Sequence, residues 1–430
     1  MKKISTRIKR FFKILGPGVV TGAADDDPSG IITYTQTGAQ FGYGQLWIAV
    51  LILPFMVATQ EACARIGAVT GQGLASAIKK SYNKYVLYAV VLLIVAANII
   101  NIGADIGAMA AAAQLLIPLH FIILTFSFTA LILILEIFTS YKVYSKILKW
   151  LAFALLAYPI TVFIINQPWI EILRATFIPN IELSFAFFFI ITAVLGTTIS
   201  PYMFFWQASE EVEEEKANHL FHRHKIKPTI TNKYIKKVRL DNFAGMLFSN
   251  FATWSIIVVA ATIFHKNGIL DVNSAADAAR ALEPLVQTFP YAGFFAKMIF
   301  AVGVIGLGLL AIPVLSGSAA YAVSEVFNMK EGLNRKFKKA HGFYGVIILA
   351  TLVGLGINFI GIDPIKALIF TAVFNGVAAV PLIFLIARIA KNKKVMGKYQ
   401  SGKLSNSLIW ATFGIMTASA FAMFFTLFKG

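Results

Sequence analysis

Cysteine and acid are the scarce residues in this 430-residue chain. The one cysteine, Cys63, excludes an internal disulfide, and its apolar surroundings mark it as packing, since a buried thiol behaves as a small hydrophobe. Asp and Glu number 20 against 38 Lys and Arg, and only 13% of residues carry charge. Hydrophobic residues make up 58%, more than a soluble domain of this length can bury, so the class is a polytopic, all-α membrane protein. No polar run is long enough for an extramembrane domain. The basic start of the chain lacks a small-residue cleavage pattern and meets Gly16-Pro17-Gly18, so it does not read as a removable signal.

What is present is a series of apolar runs near 20 residues long. Eleven spans are expected, centred near Val20, Leu53, Val95, Leu131, Leu156, Ala193, Ile257, Val304, Ala350, Val380 and Phe413. The net charge of +18 suggests nucleic acid only until its distribution is read. Alternate connections are basic (MKKISTRIKRFFK, Ser76–Lys84, YKVYSKILK, KYIKKVR, NRKFKKAHG, ARIAKNKKVMGK), and those between are neutral or mildly acidic. The positive-inside rule then makes this charge topology, in a cell (inner or plasma) membrane, with the N-terminus cytoplasmic and the C-terminus outside. No nucleic acid and no obligate protein partner is indicated; the partners are the bilayer and a small solute.

The longest polar stretch runs from about Glu210 to Arg239. Its run of Glu210, Glu211, Glu213, Glu214 and Glu215 reads as a solvated helix end, followed by a loop. His219, His222 and His224 in that loop are a compositional hint of metal binding and no more. Asn267–Pro290 is expected to hold a short surface helix capped by Asn273 or Ser274.

Two spans are interrupted, the first at Asp25–Gly30 and the sixth near Gly196–Pro201. They lie five spans apart, as expected for two inverted five-helix repeats with broken first helices. The whole chain, 1–430, is then one transmembrane domain: repeat one at about 14–166, repeat two at about 183–390, and an eleventh helix at about 404–428. Asp25, Asp26 and Asp27 sit in the first break. Unwound backbone in hydrocarbon costs several kcal/mol per unsatisfied group, and a carboxylate adds roughly 3 kcal/mol. Both costs fall if the break binds a cation through carbonyl and carboxylate oxygens. Asp27 precedes Pro28 and is biased away from helix, so it is the expected direct ligand, with Asp26 or Asp25 beside it.

These residues carry a family resemblance. GPG, then DP, then GAQFGYGQLW is similar to the first span of the Nramp divalent-metal transporters, where the break usually reads Asp-Pro-Gly-Asn. QEACARIGAVTGQGLA, AATIFHKNG and ALEPLVQTF extend the resemblance over roughly Gly16 to Gly397. It implies a LeuT-type fold and secondary transport of a transition metal, usually with protons. In that family the first-span Asp and Asn bind the ion; here Asp27 keeps the acid and Gly30 replaces the amide. An Ala carbonyl and a Met thioether of the sixth span correspond to Thr197 and Ser200. Two histidines correspond to Tyr202 and Gln207, and an Asp-x-x-Glu pair to Asp105 and Ala108.

Without the thioether, the remaining oxygen donors suit a hard cation. Gly30 and Ser200 are also smaller than their counterparts, which leaves room for retained waters. The pattern resembles the Nramp-related magnesium transporter branch. The expectation is Mg2+ as transported cation, with Mn2+ second, no resident cofactor, and weak or absent proton coupling because no His remains. The metal set is Asp27, Gly30, Thr197, Ser200 and Asp26. The wider cavity takes in Asp25, Asp105, Asn101, Tyr202, Gln207 and Asn375, with Asn101 and Asp105 on one face of the third span. Alternatives are a proton-coupled Mn2+/Fe2+ carrier, an amino-acid carrier on the same fold, a metal sensor without flux, and an intramembrane enzyme pairing Asp27 with Asp105.

Overall fold

The computed structural model describes residues 21–22, 24–139, 153–217 and 230–429. Among these, every regular element is a helix. In chain order they are α1 (Pro28–Phe41), α2 (Trp47–Thr70), α3 (Leu74–Ser81), α4 (Lys84–Gln114), α5 (Phe121–Phe138), α6 (Ala157–Ile164) and α7 (Trp169–Phe177). Then follow α8 (Phe185–Thr198), α9 (Pro201–Ala217), α10 (Asn232–Ile263), α11 (Ala275–Arg280), α12 (Glu283–Val286) and α13 (Ala292–Phe327). The last are α14 (His341–Ile357), α15 (Pro364–Lys391), α16 (Lys393–Met396) and α17 (Lys403–Lys429). Eight stretches among the described residues are long and apolar enough to cross a bilayer, α8 and α9 counting as one; α14 is a shorter apolar helix. His219, His222, His224, the basic tail and YKVYSKILK lie outside the described residues.

Both breaks form as expected, and both have the same local cause. Asp27 and Ser200 each precede a proline, which disfavours helical geometry at the residue before it. Asp27 is extended (φ −65°, ψ 174°) and caps α1, whose first residue is Pro28. Ile199 leaves helical geometry (φ −118°, ψ 58°), and α9 begins at Pro201. Proline at a helix start sacrifices no internal hydrogen bond, so each break ends cleanly in a new helix. The half-helix α8 lies against α15 at a glycine contact: a Cβ on Gly376 would lie 3.1 Å from Thr192 Cγ2 and closer still to the Thr192 carbonyl. Only glycine permits that approach.

One expectation is corrected. The glutamate run is not a solvated helix end. Glu210, Glu211, Glu213 and Glu215 are buried in the last turns of α9. The expected loop sequence KYIKKVR instead forms the first turns of α10 and covers them: Lys237 pairs with Glu214 at 2.8 Å, and the Tyr234 hydroxyl donates to Glu211 at 3.4 Å. Asn334 and Lys216 both bond Glu213. The short surface helix is α11, and Ser274 is its cap.

Candidate metal centre

The first break aims Asp27 at its own helix and at α4. Its Oδ1 accepts the Gly30 N–H and the Ser29 hydroxyl, both at 2.8 Å. Its Oδ2 accepts the Asn101 amide at 3.0 Å and the Tyr202 hydroxyl at 3.5 Å. Tyr202, one residue into α9, also donates to the Ala24 carbonyl at 3.1 Å, and its own carbonyl accepts Ser318 Oγ of α13 at 2.8 Å. The Ser29 and Thr197 hydroxyls meet at 3.4 Å across the two breaks. One turn beyond Asn101, Asp105 is within electrostatic reach of Asp27 and Tyr202. Both Asp105 oxygens are buried without a partner.

Asp25 and Asp26 turn to a different helix. Asp25 Oδ2 accepts Ser249 Oγ of α10 at 2.7 Å. Asp26 lies beside Ser249 and Thr253, one turn apart on that helix. The two oxygens of Asp26, the second oxygen of Asp25 and the Thr253 hydroxyl are buried and unpartnered. Tyr34 reaches the same place: its hydroxyl bonds Thr198 Oγ1 at 3.0 Å and faces Thr253. The three consecutive acids therefore divide, one toward α4 and two toward α10. Exposure is 0% for Asp25, Asp26 and Asp105 and 1% for Asp27, so all four carboxylates are shielded from solvent.

The other expected residues are placed as follows. A Cβ on Gly30 would lie 3.3 Å from Thr197 Oγ1 and 3.3 Å from the Tyr34 ring, so the room left by the missing amide is already occupied. The Ser200 hydroxyl donates to the Gly196 and Thr197 carbonyls at 2.7 Å, which fixes its proton on its own helix and leaves lone pairs outward. Gln207 is a bridge: it accepts from Thr21 at 2.5 Å and donates to Glu211 at 3.1 Å. Asn375 is buried beside Gly376, with its amide nitrogen unpartnered. Sequence reasoning missed Ser29, Ser249, Thr253 and Met109. Ser249 and Thr253 have a usable signal, two hydroxyls at i, i+4 in an apolar span. Met109, one turn past Asp105, packs against Gly308 beside Pro28.

None of the ion pairs among the described residues reaches Asp25, Asp26, Asp27 or Asp105. No three metal-binding acids, histidines or cysteines already converge among those residues. Four carboxylates held in protein without a basic partner attract cations, and their divergent aim suits an ion that keeps part of its water shell.

The family described as Nramp, natural resistance-associated macrophage protein-like, matches residues 18–426. A divalent metal cation transporter, MntH, of Caldanaerobacter subterraneus subsp. tengcongensis is 25% identical over 433 residues, 97% of this chain and 92% of its own length. MntH of Klebsiella pneumoniae strain 342 is 27% identical over 406 residues, 91% and 89% respectively. The manganese transporter of Eremococcus coleocola superposes with a TM-score of 0.74 at 16% identity, covering 95% of this chain and 86% of that one. MhsT in complex with L-phenylalanine gives 0.64 at 11% identity, covering 96% and 98%. These structural likenesses establish the LeuT-type fold.

Proposed function

The chain belongs to the Nramp family, transporters rather than enzymes, and from that premise we propose that it carries divalent metal cations across the membrane, Mg2+ foremost and Mn2+ second. The relatives named above for divalent metals and manganese support the ion class. The observation that carries the Mg2+ reading is the donor set around Asp27. Ser29, Thr197, Asn101, Tyr202 and Asp105 offer oxygen, with one amide nitrogen that donates, and among the described residues no imidazole or thioether hydrogen-bonds Asp27. Carboxylate and hydroxyl oxygens suit Mg2+, which keeps several waters and is held through one or two carboxylates. Asp27 is the direct ligand; Ser29, Thr197 and Asn101 hold the inner waters; Asp105 supplies the second charge. Ser200 puts a hydroxyl where the thioether is expected, Thr197 adds a hydroxyl to its backbone carbonyl, and Gly30 brings no side chain to the start of α1.

Transport runs inward through a multi-pass protein of the cell membrane whose N-terminus is cytoplasmic. A potential negative inside supplies about 4.6 kcal/mol per 100 mV for a dication, at about 2.3 per charge, so entry needs no second driving ion. Tyr202 and Gln207 stand in place of titratable imidazoles, hence weak or no proton coupling.

One observation favours a second reading, an Mn2+ carrier. Met109 brings a thioether to Gly308 and Pro28, one turn from Asp105, and thioethers favour softer ions. Purified protein in liposomes separates the two. Mg2+ influx that Mn2+ inhibits, with no acidification of the lumen, is expected. Mn2+ influx that excess Mg2+ leaves untouched refutes the Mg2+ reading, and proton entry in step with the metal refutes uncoupled entry.

A further inference from the structure

The division of the aspartate run has a consequence for charge. One dication at Asp27 and Asp105 compensates two of four buried carboxylates, and Asp25 and Asp26 remain. An ionised carboxylate only accepts hydrogen bonds. Between them these two accept one, from Ser249. Three of their four oxygens have no partner, and the Thr253 hydroxyl, 0% exposed and also unpartnered, lies against Asp26. Buried polar atoms are seldom left in that state, and each needs a donor or a cation. Ser249, Thr253, Tyr34 and Thr198 line the same space with hydroxyls only. Two carboxylates with hydroxyls and freed backbone form a hard-cation donor set, and one dication balances its charge.

We propose that Asp25 and Asp26, with Ser249 and Thr253 of α10, form a second divalent-cation position beside the Asp27 centre, so that the protein holds two ions side by side. This rests on the reading of the chain as a divalent-cation carrier. A lone monovalent ion leaves one charge uncompensated, and an ion shared with Asp27 has to serve carboxylates that face different helices. The two positions are distinguishable because their supporting side chains do not overlap: Asn101, Ser29 and Tyr202 serve Asp27, whereas Ser249 and Thr253 serve the pair.

The test counts bound Mn2+ on the purified full-length protein by equilibrium dialysis with EPR detection, then repeats the count with Mg2+ as competitor. Two ions per chain are expected for wild type. Ser249→Ala with Thr253→Val keeps the shape of α10 and removes its hydroxyls; the count falls to one. Asp26→Asn provides an independent variant, with the same fall expected. Asp27→Asn also leaves one, and this remaining ion is the one abolished by adding Asp26→Asn. A wild-type count of one that the α10 variants do not change overturns the second position while leaving the carrier reading intact, and means that protons compensate Asp25 and Asp26. A count of two that the α10 variants and Asp26→Asn leave unchanged overturns it as well. No bound ion in wild type, with no metal flux, overturns the carrier reading itself.

Discussion

Asp27→Asn isolates the charge of the central ligand from its structural work. Asn caps helices about as well as Asp, so the Gly30 N–H and Ser29 hydroxyl retain their acceptor. The new amide nitrogen faces the Asn101 amide, donor against donor, but Asn101 Oδ1 has no partner. A flip of Asn101 therefore supplies the missing acceptor. The variant is expected to fold and, without metal, to melt at or above wild type, because one of four crowded carboxylates has become neutral. Removing one member of a buried charge pair costs about 3–5 kcal/mol. At about 1.4 kcal/mol per decade this weakens Mg2+ binding at the Asp27 position by roughly a hundredfold to three-thousandfold. At a concentration a hundredfold above the wild-type Kd, the ion stabilises wild type by about 2.7 kcal/mol. With Kd raised a hundredfold the contribution of that position falls to about 0.4 kcal/mol. Melting with and without Mg2+, beside dye-reported flux in liposomes, provides the assay. Wild-type flux in Asp27→Asn refutes the assignment of Asp27 as ligand, and collapse of the metal-free variant refutes the argument that its cap survives.

Three further outcomes are expected. Gly30→Asn alone, aimed at restoring an amide to the break, lowers flux for every metal, because its Cβ meets Thr197 Oγ1 and Tyr34 at 3.3 Å; Gly30→Asn with Thr197→Ala recovers flux and raises the Mn2+ to Mg2+ ratio, read by competition uptake. Gly376→Val drives a side chain into Thr192 and lowers stability by about 1–3 kcal/mol, measured by thermal melting. Glu331, on the connection after α13, has its carboxyl raised to about 7 by burial, with Glu213 adding to the rise and Lys216 opposing. Its folded state thus prefers the proton, and stability is lost as pH rises from the unfolded value near 4.5 through 7. Glu331→Gln is expected to lie within about 1 kcal/mol of wild type at pH 5 and to exceed it above pH 7 by at most roughly 3 kcal/mol, less after solvent screening. Melting curves from pH 5 to 8.5 that stay parallel contradict this.

The breaks were readable in sequence because their cause is local: an acid or hydroxyl residue before proline, in an otherwise apolar run. That Asp27 stands in the first break was readable for the same reason, and Asn101 with Asp105 on one helical face followed from their spacing, whereas the turn of Asp27 toward that face was not. The partition of the three aspartates was not, since it depends on Ser249 and Thr253, more than 220 residues away, being one turn apart on the helix that covers them. The glutamate run misled for a related reason. A charged run looks solvated unless the returning chain is known, and here Tyr234, Lys237 and Asn334 return to cover it. The spare room expected at Gly30 was an inference from volume alone; the Tyr34 ring and Thr197 hydroxyl fill it.

Tyr202 ties the two breaks together. It holds the start of α9 to α13 through Ser318, the chain just before the first break through the Ala24 carbonyl, and the ligand through Asp27. An imidazole at this position changes charge near neutral pH. A phenol, with an ordinary pKa near 10, donates at every physiological pH and changes nothing. Tyr202 is thus a fixed strut between the two breaks, and its contribution is geometric. Tyr202→Phe keeps the ring and its packing and leaves the Ala24 carbonyl without this donor. At about 0.5–1.5 kcal/mol per lost hydrogen bond, Mg2+ uptake is expected to fall about twofold to tenfold. The dependence of uptake on pH between 6 and 8 is expected to keep its shape, because no titrating group has been removed. A profile that flattens or shifts in Tyr202→Phe, measured in liposomes at clamped potential, shows that the hydroxyl takes part in proton movement and defeats the argument for uncoupled transport.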